Sequence, residues 1–428
     1  MSHSETASAA MTKTLQRPSA PAQDETAPLR AKPAARVRDL RLDFFRGLAM
    51  FIILIAHTPG NFLAGWIPAR LGFSDATEIF VFCSGMASAI AFGGGFDRVG
   101  WRLGSARVLF RVWQVYWAHI GLFCATVALT VWMTDLQITG VNYWGQLNLW
   151  PVFEESEKWA NPNIFLSFMT LRYVPNYFDV LPMYMVVLLF MPIIMLLVRV
   201  NLFAVAAFVL CVWLMAQETW MHSVGLGAWH LALPAEPWSD RIWFFNPFGW
   251  QLIFFTGFAF MRGWLPKPPV SMTLVILAAL VVLGSVLLSD VSVREFDMPW
   301  VKAWRAEYAP WFDKTAFAPL RYLHFLSLAY LGWVIAGDKG GRLLARGTNV
   351  LARAWGGLVT IILKVGQQSL AVFVVSMFTA RLMGFGIDLT DRSALPVLLI
   401  NLAGGMALVA TAYGAGWFKS QPWKKAIA

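Results

Sequence analysis

The segment at residues 42–61, LDFFRGLAMFIILIAHTPGN, carries charged and polar side chains at both ends of a long apolar run. An α-helix with 100° per residue brings four of these polar side chains onto one narrow face. They are Asp43, Arg46, His57 and Asn61. At 1.5 Å per residue, His57 lies about 21 Å along the axis from Asp43. Ionisable groups inside a membrane are costly and mark functional positions, so the segment predicts a membrane-spanning helix with a functional stripe.

The composition of the whole chain agrees with a membrane protein. Of its 428 residues, 58% are hydrophobic and only 14% are charged, whereas soluble proteins carry about 25% charged residues. This excludes an ordinary cytosolic enzyme, a disordered protein and a nucleic-acid binder, despite the net charge of +10. We therefore predict an all-α, polytopic integral membrane protein that lies in a lipid bilayer.

The apolar runs predict about ten transmembrane helices in one bundle, each near the 20 residues that cross a bilayer. They are residues 43–63, 75–96, 108–133, 178–198, 202–220, 246–264, 270–289, 319–336, 358–384 and 394–418. Even numbers of spans put both termini on one side. Most of the 34 Lys and Arg residues then fall on the side of the termini, which predicts that both termini are cytoplasmic.

Three regions follow from this pattern. Residues 1–38 are rich in Ala, Ser, Thr and Pro, which is typical of a disordered tail, here cytoplasmic. Residues 39–418 hold the transmembrane domain, and residues 419–428 form a basic cytoplasmic C-terminus. The predicted outer loops are dense in Trp, Tyr and acidic residues, a composition that suits either a carbohydrate-facing surface or ordinary interfacial anchoring.

Acidic residues open the second predicted span at the membrane depth of His57. Asp75 and Glu78 are one helical turn apart, and a short loop connects this span to the first. A carboxylate that hydrogen-bonds to an imidazole fixes its tautomer and raises its basicity. We expect Asp75 or Glu78 to orient His57; alternatively, Asp75 only caps the helix.

Basic and amide side chains enter other predicted spans. Arg107 and Arg111 share a face at the cytoplasmic start of the third span, where they would bind phosphate groups or extend to lipid headgroups. Further polar residues lie in the first turns of the sixth and eighth spans: Asn246, Gln251, Arg321 and His324. The cysteines lack the spacing of metal ligands, and we predict no metal site.

Several motifs together resemble the OpgC family, which comprises inner-membrane succinyltransferases of osmoregulated periplasmic glucans. The motifs are residues 42–49 with His57-Thr58-Pro59, residues 73–82, Leu181-Pro182-Met183-Tyr184, Phe245-Asn246-Pro247, Leu323-His324-Phe325 and Gln368-Ser369-Leu370. The resemblance implies a bacterial inner-membrane O-acyltransferase. Acyl-CoA would be a co-substrate rather than a tightly bound cofactor, and a periplasmic glucan or another carbohydrate would be the acceptor.

On this basis His57 is the expected general base, and Asn61 is expected to stabilise the oxyanion. Arg107 and Arg111 would bind the CoA phosphates, whereas Arg321 and His324, or alternatively Arg46, would neutralise a succinyl carboxylate. Asp43, Asn246 and Gln251 complete the predicted substrate-binding interior. The alternative function is a transporter or flippase for a glycolipid or an organic anion, with His57 as a proton relay. The sequence leaves open the acyl group, the acceptor, the oligomeric state, and the choice between a ternary complex and an acyl-His57 intermediate.

Overall fold

The structure is a computed structural model that describes residues 39–154 and 163–427. Its regular secondary structure is helical, and these residues form no strand beyond an isolated bridge between Pro234 and Ile242. The all-α prediction is therefore confirmed. The tail predicted for residues 1–38 lies outside the described residues.

Twelve helices, named here α1 to α12, build the frame of the part that the structure describes. They are α1 Leu40–His57, α2 Ala76–Ser88, α3 Gly94–Asp135, α4 Val180–Leu189, α5 Met191–Leu197, α6 Leu202–Met215, α7 Pro247–Arg262, α8 Met272–Leu287, α9 Pro319–Ala336, α10 Val350–Gln367, α11 Ser369–Asp388 and α12 Ala394–Ser420. Short helices lie in the connections, namely Pro68–Leu71, Trp150–Phe153, Ile164–Met169, Glu218–Ser223, Asp290–Arg294 and Pro299–Glu307, and another, Pro422–Ile427, follows α12.

Six helical segments in the described ranges are long and apolar enough to cross a membrane, and the number rises to seven when one bent pair counts as a span. The ten predicted spans are therefore not confirmed. The predicted spans at residues 202–220 and 246–264 form α6 and α7, which have 14 and 16 residues and are not among those six segments. The predicted span at residues 358–384 is divided, because Gln368 leaves the helical conformation between α10 and α11.

Helix α1 ends where its sequence stops favouring a helix. Thr58 is extended, and Pro59 has no N–H to continue the hydrogen-bond ladder. Asn61 then caps a short 3₁₀ helix, because its side chain accepts a hydrogen bond from the Leu63 amide. The predicted first span at residues 43–63 is thus α-helical only as far as His57.

The start of α1 packs backbone to backbone against the end of α10. A Cβ atom on Gly47 would lie 2.0 Å from the Ile362 carbonyl oxygen, and one on Gly366 would lie 1.9 Å from the Asp43 carbonyl oxygen. Small residues allow this close approach of membrane helices. The two contacts fix α1 and α10 in antiparallel register at the Asp43 end.

Helices α2 and α7 meet in the same way. A Cβ atom on Gly85 would lie 1.9 Å from the Phe254 carbonyl oxygen, and one on Gly257 would lie 2.3 Å from the Phe82 carbonyl oxygen. Because α2 also packs on α1, this contact fixes the acidic start of α2 relative to the His57 end of α1.

Candidate active site

His57 is the last residue of α1, and a hydrogen bond within the helix sets the orientation of its ring. Its Nδ1 atom lies 2.8 Å from the Ile53 carbonyl oxygen. Because a carbonyl can only accept, Nδ1 carries the proton of the neutral ring and Nε2 remains an acceptor. Arg381 donates to the His57 carbonyl oxygen at 2.9 Å, so the end of the helix is also held from α11.

The His57 side chain faces a cavity of about 210 Å³. Its walls are mostly aromatic and aliphatic, with a few polar groups. The lining residues are Ile53, His57, Thr77, Phe80, Tyr177, Asp179, Val180, Phe244, Phe245, Lys314 and Phe373. A mostly apolar cavity with few convergent polar groups is typical of a small-molecule site.

The acidic residues at the start of α2 form a capping box. Asp75 accepts a hydrogen bond from the Thr77 amide at 2.6 Å, and the Glu78 side chain accepts one from the Asp75 amide at 2.8 Å. Such a reciprocal pair satisfies amide groups that a helix N-terminus otherwise leaves without partners. The capping role that we considered for Asp75 is therefore present, and Glu78 shares it.

The same two carboxylates form ion pairs. Lys314 Nζ lies 2.5 Å from Asp75 Oδ2, and Arg321 Nη1 lies 2.5 Å from Glu78 Oε1. Burial alone would raise the pKa of Asp75, which precedes α2, but Lys314 and Arg321 outweigh burial and lower that pKa. The expected hydrogen bond from Asp75 or Glu78 to His57 is wrong, because the His57 ring bonds to the backbone and the carboxylates bond to cations.

Two predicted site residues at this end have structural partners instead. The Asn61 side chain donates a hydrogen bond to Asn401 Oδ1 at 2.9 Å and accepts one from the Leu63 amide. His324 Nδ1 accepts a hydrogen bond from the Ser74 amide at 3.1 Å and lies 2.7 Å from Ser74 Oγ. Neither Asn61 nor His324 lines the cavity, and their predicted roles in oxyanion binding and carboxylate binding stay predictions.

Arg321 and the predicted amide residues also join helices. The ion pair of Arg321 with Glu78 links α9 to α2. Asn246 accepts from the Phe248 amide and donates to the Leu231 carbonyl oxygen at 2.7 Å, and Gln251 donates to the Val209 carbonyl oxygen at 2.7 Å. None of Arg321, Asn246 and Gln251 lines the cavity.

At the other end of α1, Asp43 is buried and Arg46 reaches backbone atoms. The two terminal nitrogens of Arg46 lie 3.4 Å from the Gly366 carbonyl oxygen and 3.5 Å from the Cys83 carbonyl oxygen. Arg46 therefore connects α1 with α2 and α10. Of the predicted polar stripe, Asp43, Arg46 and His57 lie on α1, whereas Asn61 lies beyond its end. The two ends of α1 lie in different surroundings.

The predicted phosphate ligands lie on α3. Arg111 donates to Gln114 Oε1 at 3.1 Å and lies in electrostatic range of Lys419. Arg107 packs its guanidinium 5.7 Å from the Phe92 ring centroid. Lys419 in turn donates to Gln368 at 2.6 Å, so Arg111 belongs to a basic cluster beside the break between α10 and α11.

Sequence reasoning missed several residues of the site. Lys314 and Asp179 line the cavity, and Arg381 lies 4.1 Å above the Tyr177 ring centroid. Lys314 sits in a loop, outside any periodic stripe. The acid at position 179, which opens α4, was a signal that could have been used. In the described part of the chain, no three His, Cys, Asp or Glu side chains group so as to hold a metal ion.

The fold and the cavity together define an all-helical membrane protein with a histidine-containing internal site. A family model described as "OpgC protein" matches residues 38–420, and the chain belongs to this OpgC family. Membership in the family suggests a membrane acyltransferase. No curated protein and no solved structure matches the chain.

Proposed function

We propose that this protein is an O-acyltransferase that moves a succinyl or another short acyl group from acyl-CoA to a hydroxyl of a periplasmic glucan. The observation that carries the proposal is the geometry of His57. Its Nδ1 donates to Ile53, which leaves Nε2 free to accept a proton at the cavity wall. A histidine held in this tautomer is suited to general-base catalysis near neutral pH.

Acyl transfer from CoA to a hydroxyl requires a general base but no nucleophilic side chain. A thioester is already an activated acyl donor, so no Ser or Cys nucleophile is required. His57 accepts the proton of the acceptor hydroxyl as its oxygen attacks the acyl carbon, a contribution of typically 10² to 10⁴ in rate. The same imidazole then returns the proton to the departing CoA sulfur.

The walls of the cavity support a carbohydrate acceptor. Aromatic faces such as Phe244, Phe245 and Tyr177 can stack on the C–H groups of a sugar. Asp179 is buried and accepts a hydrogen bond from the Phe244 amide at 3.3 Å. The two oxygens of a carboxylate can accept several hydrogen bonds, and sugar hydroxyls are suitable further donors. These features favour a hydroxyl-rich acceptor over a purely apolar one.

The basic cluster at the Asp43 end supports an anionic donor. Arg111 lies within electrostatic range of Lys419, and Lys364 approaches the same stretch of α12, with its ammonium 5.4 Å from the Tyr413 ring centroid. Cations from α3, α10 and α12 thus converge, and CoA phosphates are natural partners for them. We further propose that this end is cytoplasmic, that both termini are on that side, and that the membrane is the bacterial inner membrane.

The proposal is tested with purified protein in lipid nanodiscs. Wild-type protein should release CoA thiol and acylate a glucan in the presence of succinyl-CoA, with both products quantified by thiol assay and mass spectrometry. His57→Ala should lower this turnover about 10²- to 10⁴-fold. The matched control is His119→Leu, since His119 is a buried histidine that packs against Phe168 and Phe178; this variant should keep near wild-type turnover.

Two results would contradict the proposal. One is a wild-type protein that transports a glycolipid or an organic anion in proteoliposomes without turning over acyl-CoA. The other is a His57→Ala protein, present in equal amount, that acylates at the wild-type rate.

A further inference from the structure

We propose that Lys314 is a second catalytic residue, whose ammonium group stabilises the negative charge that forms on the acyl carbonyl oxygen. The inference rests on the proposed function, in which His57 accepts the hydroxyl proton. Among the cavity-lining residues in the described ranges, Lys314 is the one lysine or arginine. A tetrahedral oxyanion requires preorganised positive charge or hydrogen-bond donors close to the oxygen.

The position of Lys314 is fixed from two sides. Its Nζ lies 2.5 Å from Asp75 Oδ2, and its backbone carbonyl oxygen accepts a hydrogen bond from Trp250 Nε1 at 2.9 Å. Asp75 is itself held by the Thr77 amide at 2.6 Å. An ammonium that is held before substrate binds needs no rearrangement during the reaction, which is the property that makes electrostatic stabilisation effective.

The ammonium also remains available to a substrate. The Lys314 side chain is 27% exposed, and its Nζ lies 5.8 Å from the Phe244 ring centroid and 5.4 Å from that of Phe245. An ammonium has three N–H donors, and the contact with Asp75 uses one of them. Because the surrounding walls are largely aromatic, the remaining donors act in a medium that screens charge less than water does.

His57 and Lys314 together account for the transfer of the acyl group from CoA to the hydroxyl. The hydroxyl oxygen forms a bond to the thioester carbon while its proton moves to His57 Nε2. The π electrons of the carbonyl move to its oxygen, which becomes the oxyanion beside the Lys314 ammonium. When the carbonyl re-forms, the C–S bond breaks and the sulfur takes the proton from the His57 imidazolium, which yields an ester and CoA thiol.

The other cations near this end have different engagements. Arg321 is paired with Glu78. Arg381 donates to the His57 carbonyl oxygen and lies over the Tyr177 ring. Neither arginine lines the cavity, so each is placed to support the walls rather than to meet a substrate oxygen.

The test must separate a catalytic role of Lys314 from its structural role as the ion-pair partner of Asp75. Lys314→Met alone would leave a buried carboxylate without its cation, and that can destabilise the protein by itself. The informative variant is therefore the double substitution Asp75→Asn with Lys314→Met, which removes both charges. Lys314→Gln is a second, independent variant, because it keeps an N–H donor for Asp75 but has no charge.

We expect both variants to bind succinyl-CoA with a Kd close to that of wild type and to lose kcat by about 10²- to 10³-fold, the usual cost of one oxyanion donor. The loss of kcat should be equal with succinyl-CoA and acetyl-CoA, since both donors form the same oxyanion. Binding is measured by isothermal titration, and turnover is measured by CoA thiol release at equal protein amounts.

Two outcomes overturn the inference. If the double variant or Lys314→Gln retains wild-type kcat, Lys314 serves only as the partner of Asp75. If turnover falls with succinyl-CoA but not with acetyl-CoA, Lys314 recognises the acyl carboxylate instead of the oxyanion. Failure of the proposed function is recognised separately, because the wild-type protein would then show no acyl-CoA turnover or His57→Ala would be fully active.

Discussion

The two ends of helix α1 carry similar polar residues but differ in what surrounds them. At the Asp43 end, helices approach until a Cβ atom on Gly366 would lie 1.9 Å from a carbonyl oxygen, and Arg46 donates to the backbone carbonyl oxygens of Gly366 and Cys83. At the His57 end, the helix stops at a cavity of about 210 Å³. Whether an ionisable residue of α1 serves packing or chemistry therefore depends on whether open volume adjoins it.

A larger side chain at Gly366, where α10 packs on the Asp43 end of α1, should reduce the amount of folded protein most strongly. Gly366→Leu would push a side chain into the backbone of α1 at Asp43, a contact that no rotamer change relieves. We expect almost complete loss of folded protein. Membrane abundance and detergent size-exclusion profiles of a fluorescent fusion would measure it.

The same helix provides the control for this prediction. A Cβ atom on Gly357 in α10 would meet no atom within 4 Å, so Gly357→Leu should accumulate like wild type. Normal abundance of Gly366→Leu would show that α1 and α10 are not in backbone contact at this point.

The features that the sequence predicted well are those that depend on local periodicity. The predicted span at residues 319–336 has the bounds of α9, Pro319–Ala336, and that at residues 394–418 nearly those of α12, Ala394–Ser420. The stripe of α1 is likewise a property of one helix. Apolar runs and helical spacing are written in consecutive residues, which is why they can be recognised without tertiary contacts.

The site itself depends on contacts between distant residues. Lys314 pairs with Asp75 across 239 positions, and Arg381 meets His57 across 324 positions. Helical spacing carries no information about such pairs, because loop conformation is set by packing. The ninth predicted span is divided within the polar stretch at residues 366–369, GQQS. Hydropathy marks this stretch but not the backbone conformation of Gln368, which separates α10 from α11.

At the His57 end of α1, the charge of Asp179 on the cavity wall can be tested directly. Asp179→Asn keeps the size of the side chain but removes its charge from the cavity wall. If the carboxylate accepts sugar hydroxyls, its loss should raise the KM for the glucan about tenfold, since hydrogen bonds to charged groups contribute about 1.5–3 kcal/mol. The KM for acyl-CoA should stay unchanged. Steady-state kinetics with each substrate varied in turn would measure both constants.

The neighbouring Thr77→Val variant is a suitable comparison for Asp179→Asn, because Thr77 also lines the cavity but carries no charge. It should change the glucan KM less. A rise in the acyl-CoA KM alone in Asp179→Asn would assign the carboxylate to the donor and contradict its role with the acceptor.

The smallest expected effect tests whether the basic cluster at the Asp43 end binds the donor. Arg111→Glu should raise the KM for acyl-CoA by about 3- to 10-fold at low salt, because partly exposed ion pairs contribute up to about 1 kcal/mol each and reversal also adds repulsion. Added salt should reduce the difference. Arg98→Glu is the matched control, since Arg98 lies on the same helix and bonds to its own backbone at Gly94. Equal effects of the two reversals, or none from Arg111→Glu, would assign Arg111 to lipid headgroups and leave the closely packed end of α1 without a role in donor binding.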